Sequence, residues 1–592
     1  MDRTGKIAVS ICFVLMVGWF IVAPKFLTPN PGATGAGNIQ PQVQPVGTNA
    51  QAPSTSTSGL PAQPLASATA TTKPTTPAQT QVLENNVFRA TFTSHGGGIQ
   101  KIELKAHPES IAFGPHKRFA GTNFAALNHQ ALTPAYSLGN GLDGDADYVL
   151  SRQGNVVRAE KQVGNGIRVL KEFTLLTNYQ FTAKLRLENT SGQALSVPQQ
   201  EWNIGTATPM NAHDDGTMMG LYWYDGSKAR QVLGWVPTPG FFCIPSKPIE
   251  MATEGASNVV WAAINNQFFT LITVPDSPAT NVVSRRIALP PPPAEQLAVD
   301  NQALANPAGA ETALIFPAIT LAPGQAIERV FTAYAGPKEY LPLSRMENRI
   351  DLVMDYTGFS GPFAKLLLVM MNFLHNSLHL NYGLCIIALT VIVRGVFWPF
   401  SMANFRMSKK MQALAPQLKA IQEKYKEDPR AMQSKSWELQ RQYGVNPITG
   451  CIPLLFQLPI FFGLFTMLRT AIELRGSAFL WMGDLSAPDT LFEIPLLRMP
   501  FNLMPIIYLG TAFLQSHMTP PSPQMDPMQQ KMIKYLPLAF LFIFYNYAAG
   551  LALYWTVSNL ITILQMYLSR REPLPDMTPV LAVQKGHGKK HR

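Results

Sequence analysis

A single arginine interrupts an otherwise apolar segment. Residues 383–400 make a stretch of 18, long enough to cross a bilayer, and Arg394 is its only charge. A guanidinium near the centre of such a helix costs roughly 2.5–3.5 kcal/mol on insertion scales, so a helix that keeps one usually turns it toward protein or water. The chemistry this offers is electrostatic: attraction of an acidic group partway into the membrane. Snorkelling is the alternative, because Arg394 lies about six residues, roughly 9 Å, from the end of the segment. The aromatic cluster Phe397, Trp398 and Phe400 puts an interfacial belt beyond it, which favours a charge facing inward.

Other constellations invite chemistry and do not sustain it. His375 and His379 have the i, i+4 spacing of a zinc helix, but position 376 is Asn, not the Glu that such a site needs. Asp143, Asp145 and Asp147 open like a calcium loop, yet Tyr148 stands where Gly is required and Gly154 where Glu is required. Ser94-His95-Gly96-Gly97-Gly98 lacks the Lys and the spacing of a phosphate loop. The four cysteines, Cys12, Cys243, Cys385 and Cys451, are scattered without metal or redox spacing. No metal, cofactor or small-molecule substrate is expected, and no arrangement supports a bond-breaking enzyme.

The elements that must position Arg394 follow from composition. The 592 residues are 46% hydrophobic and 14% charged, with a net charge of +11. Residues 28–360 hold 22 Lys/Arg against 24 Asp/Glu, so the positive excess lies beside the apolar segments, as the positive-inside rule describes. Residues 1–27 read as an apolar anchor behind Arg3 and Lys6, with a cleaved signal peptide as the competing reading. Residues 28–82, rich in Pro, Ala, Thr and Gln, form a flexible tether. Alternating patterns then predict an all-β domain over 83–345, with a hairpin turning at Thr177-Asn178 and a two-sheet sandwich as its architecture. Residues 362–380 read as an amphipathic helix in the membrane interface.

Beyond it, residues 381–570 carry apolar spans at about 383–400, 448–468, 501–518, 535–549 and 551–568. The last two form one run of 34 residues, roughly 50 Å as a helix, which a bilayer core of about 30 Å cannot hold straight. Lys531 and Lys534 before it and Arg570 and Arg571 after it require a hairpin near Ala548-Ala549-Gly550. With the anchor this makes six transmembrane helices, both termini cytoplasmic and the β-domain outside. Residues 401–445 carry nine Lys/Arg and four Asp/Glu, and Met407, Met411, Leu414, Leu418, Ile421 and Tyr425 repeat at a/d spacing until Asp428-Pro429. This predicts a cytoplasmic helical hairpin, either a helical positive-inside loop or a docking element whose candidate cations are Lys409, Lys410, Lys419 and Arg430. The basic tail 571–592 suits RNA or anionic lipid, or is simply solvated.

Five motifs in order give the C-terminal region a family resemblance. They are Thr390-Val391-Ile392-Val393-Arg394-Gly395-Val396-Phe397-Trp398-Pro399, Val445-Asn446-Pro447 with Cys451-Ile452-Pro453-Leu454-Leu455-Phe456-Gln457-Leu458-Pro459, Trp481-Met482-Gly483-Asp484-Leu485-Ser486, Asp526-Pro527-Met528-Gln529-Gln530-Lys531, and Tyr554-Trp555-Thr556-Val557-Ser558-Asn559-Leu560. The chain resembles the YidC/Oxa1/Alb3 membrane protein insertases of the Gram-negative type. The resemblance implies a five-helix core enclosing a hydrophilic groove open to cytoplasm and lipid, plus a periplasmic β-supersandwich. Arg394 and Thr390 would line the groove with Gln457, Tyr554 and Trp555, the last standing where relatives often have Tyr. Pro453, Pro459 and Gly550 would shape the core. It implies insertion and folding of inner-membrane proteins in the bacterial inner membrane, alone or with the Sec translocon and its accessory subunits. The implied partners are newly made membrane proteins, the ribosome through the basic tail, and lipid. The competing functions are a secondary transporter or channel, against which no inverted repeat is visible, and an anchored periplasmic carbohydrate-active protein.

Overall fold

The structure, a computed structural model, describes residues 63–64, 77–110, 123–571 and 573, except 140–141, 143–146, 165, 212–213, 215, 238–245, 295–305, 357, 446–451, 495–498 and 520–526. For 452–457, 527 and 533 it describes the backbone alone. The anchor, most of the tether, Cys243, Asp143 and the basic tail lie outside the described residues. The chain divides into two compact units, with the boundary at Val353 and Met354.

The first unit is a β-sandwich. Its largest sheet has nine strands, all paired antiparallel. Val149–Gln153, Val156–Val163, Ile167–Leu175 and Gln180–Asn189 follow one another as hairpins. Gln180–Asn189 then pairs with Ala326–Pro337, and the sheet continues through Phe269–Pro275, Trp261–Asn265, Gly220–Tyr224 and Ala229–Val232. Ile167–Leu175 buries every second residue, the period-two pattern of a strand with one face in the core. Two four-stranded sheets accompany it, Gln200–Ala207, Ala308–Phe316, Asn281–Ala288 and Met251–Glu254, and Thr80–Glu84, Phe88–Thr93, Gly98–Pro108 and Phe124–Leu127, together with a small three-stranded sheet of Gln63–Pro64, Leu195–Val197 and Ile319–Leu321. Tyr136 lies at the core centre, its ring 5.8–6.0 Å from those of Phe173, Phe181 and Phe331, with its hydroxyl 2.8 Å from Thr273 Oγ1.

The glycine turn has a structural explanation. Gly97 has φ +55°, and a Cβ there would sit 2.6 Å from the Tyr148 ring, while one at Gly98 would lie 2.2 Å from the Ala135 carbonyl. Side chains are excluded by packing, so the three glycines need no phosphate to account for them.

The second unit is helical. We label its helices α1 (Gly361–Leu378), α2 (Tyr382–Val396), α3 (Trp398–Ala413), α4 (Ala415–Lys424), α5 (Pro429–Gln442), α6 (Ile452–Thr470), α7 (Leu503–Met518), α8 (Pro527–Phe544) and α9 (Ala549–Arg571). The Asn381 side chain caps α2 by accepting from Gly383 N at 2.8 Å. Pro399 has no N–H to offer the Gly395 carbonyl, and at this point α3 departs from α2 with a bend of 59°. Asp428 Oδ1 accepts from Arg430 N and Ala431 N, both at 3.1 Å, and starts α5 ahead of Pro429.

Of the a/d residues, Leu414 and Leu418 cluster with Val445, flanked by Met407, Met411, Leu439 and Tyr443. In α1 the buried positions are Ala364, Leu367, Leu368, Met371 and Leu374, whereas Leu366 and Phe373 are exposed. The expected single apolar face is therefore split, one side on protein and one outward. Gly463 of α6 lets α1 approach closely; a Cβ there would stand 2.9 Å from Ala364 N.

The expected spans meet the helices unevenly. Among the described residues only α9, with 23 residues, is by itself long and apolar enough to cross a bilayer; α2 with α3 passes only as a bent pair. The segment 383–400 ends its straight course at Phe397 because of Pro399, and α8 runs Pro527–Phe544 rather than 535–549. The 34-residue run does break, between Phe544 and Ala549.

Candidate functional site

Arg394 leaves α2 and reaches α9. Its Nε donates to Ser558 Oγ at 2.8 Å, and Nη2 contacts the same oxygen. Three carbons and a planar fork suffice to cross between adjacent helices, and the remaining N–H groups stay available for an acceptor. The side chain is half-buried.

Helix α9 presents a polar stripe on this side. Tyr554, Ser558, Thr562, Gln565 and Ser569 recur at intervals of 4, 4, 3 and 4, which places them on one face. Tyr554, Ser558, Gln565 and Ser569 are buried. Gln565 is 1% exposed, and neither its amide oxygen nor its amide nitrogen has a hydrogen-bond partner among the described residues. Each such orphaned group costs about 1–3 kcal/mol when it is buried without a partner. Lys409 of α3 extends the positive side by donating to the Ser569 carbonyl in the last turn of α9. A cation there also complements the helix C-terminus.

The neighbouring face of α9 is aromatic. Trp555 stacks parallel to Phe461 of α6 at 6.0 Å and lies 5.3 Å from Tyr508 of α7 and 4.7 Å from Phe544 of α8. Asn559, one turn on, donates to Thr511 Oγ1 at 3.2 Å. Polar and aromatic surfaces thus run side by side along one helix.

One end of the bundle is closed by the segment after α6. Gly550 N donates to the Leu485 carbonyl at 2.9 Å, and Ala549 N to Ala487 at 2.8 Å, so the Trp481–Ser486 motif satisfies the start of α9. A Cβ at Gly550 would stand 3.0 Å from that carbonyl. Asp489 Oδ2 receives Trp481 Nε1 at 2.9 Å and Met504 N at 2.7 Å, capping α7. Asn502, fully buried, accepts from Thr490 Oγ1 at 2.6 Å and donates to the Tyr545 carbonyl at 2.9 Å. Phe479 packs on Gly383, where a Cβ would lie 2.1 Å from its ring. Burial pushes the Glu473, Asp484 and Asp489 carboxyls up, opposed by Asn372 at Glu473, Ser486 at Asp484 and Trp481 at Asp489.

The residues singled out from sequence are distributed as follows. Arg394 and Tyr554 lie on the facing surfaces of α2 and α9. Thr390 is buried and donates to its own helix at Ile386 O, 2.6 Å away, so its hydroxyl is already engaged. Trp555 belongs to the aromatic face. Pro459 is buried in α6, whereas the side chains of Pro453 and Gln457 lie outside the described residues. Lys409 is tied to α9, Lys410 is half-buried, and Lys419 and Arg430 are exposed. The His375 ring stacks on Tyr382 at 4.1 Å, and its Nδ1 lies 2.8 Å from the Leu380 carbonyl. No group of three or more potential metal ligands exists among the described residues. Sequence reasoning missed Ser558, Thr562, Gln565 and Asn502. The stripe was findable from its spacing, but single polar residues in an apolar run carry little signal alone.

Known proteins agree on the family. The family model described as the YidC periplasmic domain matches residues 80–370, and the 60Kd inner membrane protein model matches 373–575. The chain is 32% identical over 501 residues to a curated "Membrane protein insertase YidC" of Citrifermentans bemidjiense, covering 82% of this chain and 85% of that one. It is 28% identical over 593 residues to a protein of the same name from Syntrophus aciditrophicus, covering 97% and 100%. Among solved structures, one titled as an active YidC insertase with its first transmembrane domain resolved aligns over 85% of this chain and 95% of that one, at 16% identity and a TM-score of 0.34. With a β-sandwich unit and a helical unit matched in turn by the two models, this chain belongs to the YidC membrane protein insertase family.

Proposed function

We propose that this chain inserts newly made proteins into the bacterial inner membrane by lowering the cost of carrying a polar segment into the bilayer. The observation that carries the reading is the buried polar stripe of α9, with unpartnered Gln565, facing Arg394 of α2. A client's extracellular segment enters between these helices, where guanidinium, hydroxyl and amide groups replace part of its hydration. Arg394 attracts acidic side chains. The client's apolar span leaves along the aromatic face around Trp555, with the proline-bearing α6 beside it; Gln457 is kept as a groove residue on the family resemblance alone. Hydrophobic partitioning drives the transfer, aided by the membrane potential acting on client charges.

In this reading the chain crosses the membrane six times. The N-terminus, the α3–α5 hairpin and the basic tail are cytoplasmic, and the supersandwich is periplasmic. The capped end, at Trp481–Asn502, faces the periplasm and blocks free passage. The Sec translocon and the ribosome are partners in assembly and delivery. Photocrosslinkers at positions 558 and 565 test the groove. They are expected to capture a stalled client's polar segment, whereas one at Leu564, exposed on another face of α9, captures lipid or the client's apolar span. Equal capture of the polar segment at all three positions would remove the groove.

A further inference from the structure

The outer helix of the hairpin carries a pattern that insertion does not explain. Arg430, Ser434, Trp437 and Arg441 recur at 4, 3 and 4 along α5, so they share one face, and all four are exposed. Trp437 is 51% exposed, the one large apolar side chain on the outward face of a mostly polar helix. The opposite side holds Met432, Ser436, Leu439 and Gln440, and Leu439 packs on the Leu414–Leu418 seam. Glu438 pairs with Lys435 at 2.7 Å, and Asp428 caps the helix. Neither stripe arginine is in an ion pair among the described residues.

We infer that this stripe docks on the anionic lipid headgroups of the membrane in which the bundle sits. The inference rests on the orientation proposed above, with the hairpin cytoplasmic. An indole flanked by two guanidinium groups matches a headgroup layer, where an amphipathic ring sits at the interface and cations meet phosphates. The tether favours the bilayer over a distant partner. The 59° bend turns α3 away from a straight exit, and Lys409 pins it to the last turn of α9. Ten positions after Gln442 the chain re-enters an apolar helix at Ile452, which tethers the end of α5 that carries Arg441 to a membrane-entering helix.

The test uses the full chain in vesicles of phosphatidylcholine, with or without phosphatidylglycerol, whose acyl chains are brominated. Subtracting the emission of Trp437→Phe from that of the parent isolates Trp437. Docking predicts that brominated lipid quenches this difference signal when phosphatidylglycerol is present. Arg430→Gln with Arg441→Gln should lower the docked-to-undocked ratio by about 25-fold, about fivefold per arginine. An unquenched signal in phosphatidylglycerol vesicles overturns the inference, as does equal quenching in both lipids. So does ribosomal RNA shifting Trp437 emission where lipid does not. Lys426→Cys in the hairpin turn separates this from the orientation. Failure of an impermeant maleimide to reach it in cytoplasmic-side-out vesicles sinks the orientation, and docking with it. Labelling without quenching sinks docking alone.

Discussion

Reversing the charge at position 394 should separate clients by the charge of what they translocate. In contact, a guanidinium and a carboxylate about 4 Å apart attract by ~4 kcal/mol at an effective dielectric of 20 and ~1 kcal/mol in water. Arg394 is half-buried, one side held by Ser558 and the other open, so a value near 2 kcal/mol is appropriate. Arg394→Glu turns that attraction into a comparable repulsion, a swing of about 2–4 kcal/mol after screening, or roughly 30- to 1,000-fold in the loaded population. A client whose translocated segment is neutral loses only the indirect effect of the altered Ser558 contact, about 1 kcal/mol or roughly fivefold. Arg394→Gln removes attraction without adding repulsion and should fall about halfway in free energy. The assay is insertion of paired single-span clients that differ only in Asp or Asn within the translocated segment, scored by protease protection. If both clients lose activity by the same factor, Arg394 acts through helix packing and the charge-attraction account is wrong.

Three further perturbations probe the frame around the groove. Gly463→Leu forces a side chain against the α1 backbone at Ala364 N and Ser360 O, and should cost about 1–3 kcal/mol, seen as a lower thermal midpoint of the full chain in detergent. Asn502→Leu strands the Thr490 hydroxyl and the Tyr545 carbonyl, so amides in 490–502 should exchange faster by a factor matching roughly 2–4 kcal/mol; unchanged exchange would show that the cap does not depend on this residue. Glu473 has its carboxyl raised above 4.5 by burial, so its stabilising contribution is complete below that pH and lost as pH rises through the raised value. Glu473→Gln should therefore flatten the parent's decline in thermal stability from acidic to neutral pH, and a parallel curve would exclude this group.

Legibility in the sequence differed by level. The hairpin strands beside Thr177-Asn178 and the seam of Met407, Met411, Leu414 and Leu418 announced themselves because their apolar residues repeat with the period of the element. Arg394 stood out because a lone charge in an apolar helix is costly. Other features were invisible for physical reasons. Pro399 removes one donor and bends the helix, an effect that hydropathy averages away. The engagement of Thr390 with its own helix depends on a rotamer, not on residue type. The cap at Asp489, Asn502 and Tyr545 joins residues far apart in sequence through single hydrogen bonds, which no periodicity encodes. The many short edge strands, such as Met251–Glu254, lacked the alternation that marks a half-buried strand.

The central claim is that this chain alone supplies a path for a polar segment into the bilayer. The direct measurement is insertion of a small single-span client into liposomes containing only the purified full chain, without translocon or nucleotide. Protease-protected client should rise with the amount of chain reconstituted and fall when both Arg394 and Gln565 are replaced by leucine. Insertion no greater than in empty liposomes, or unaffected by that double replacement, would contradict the account.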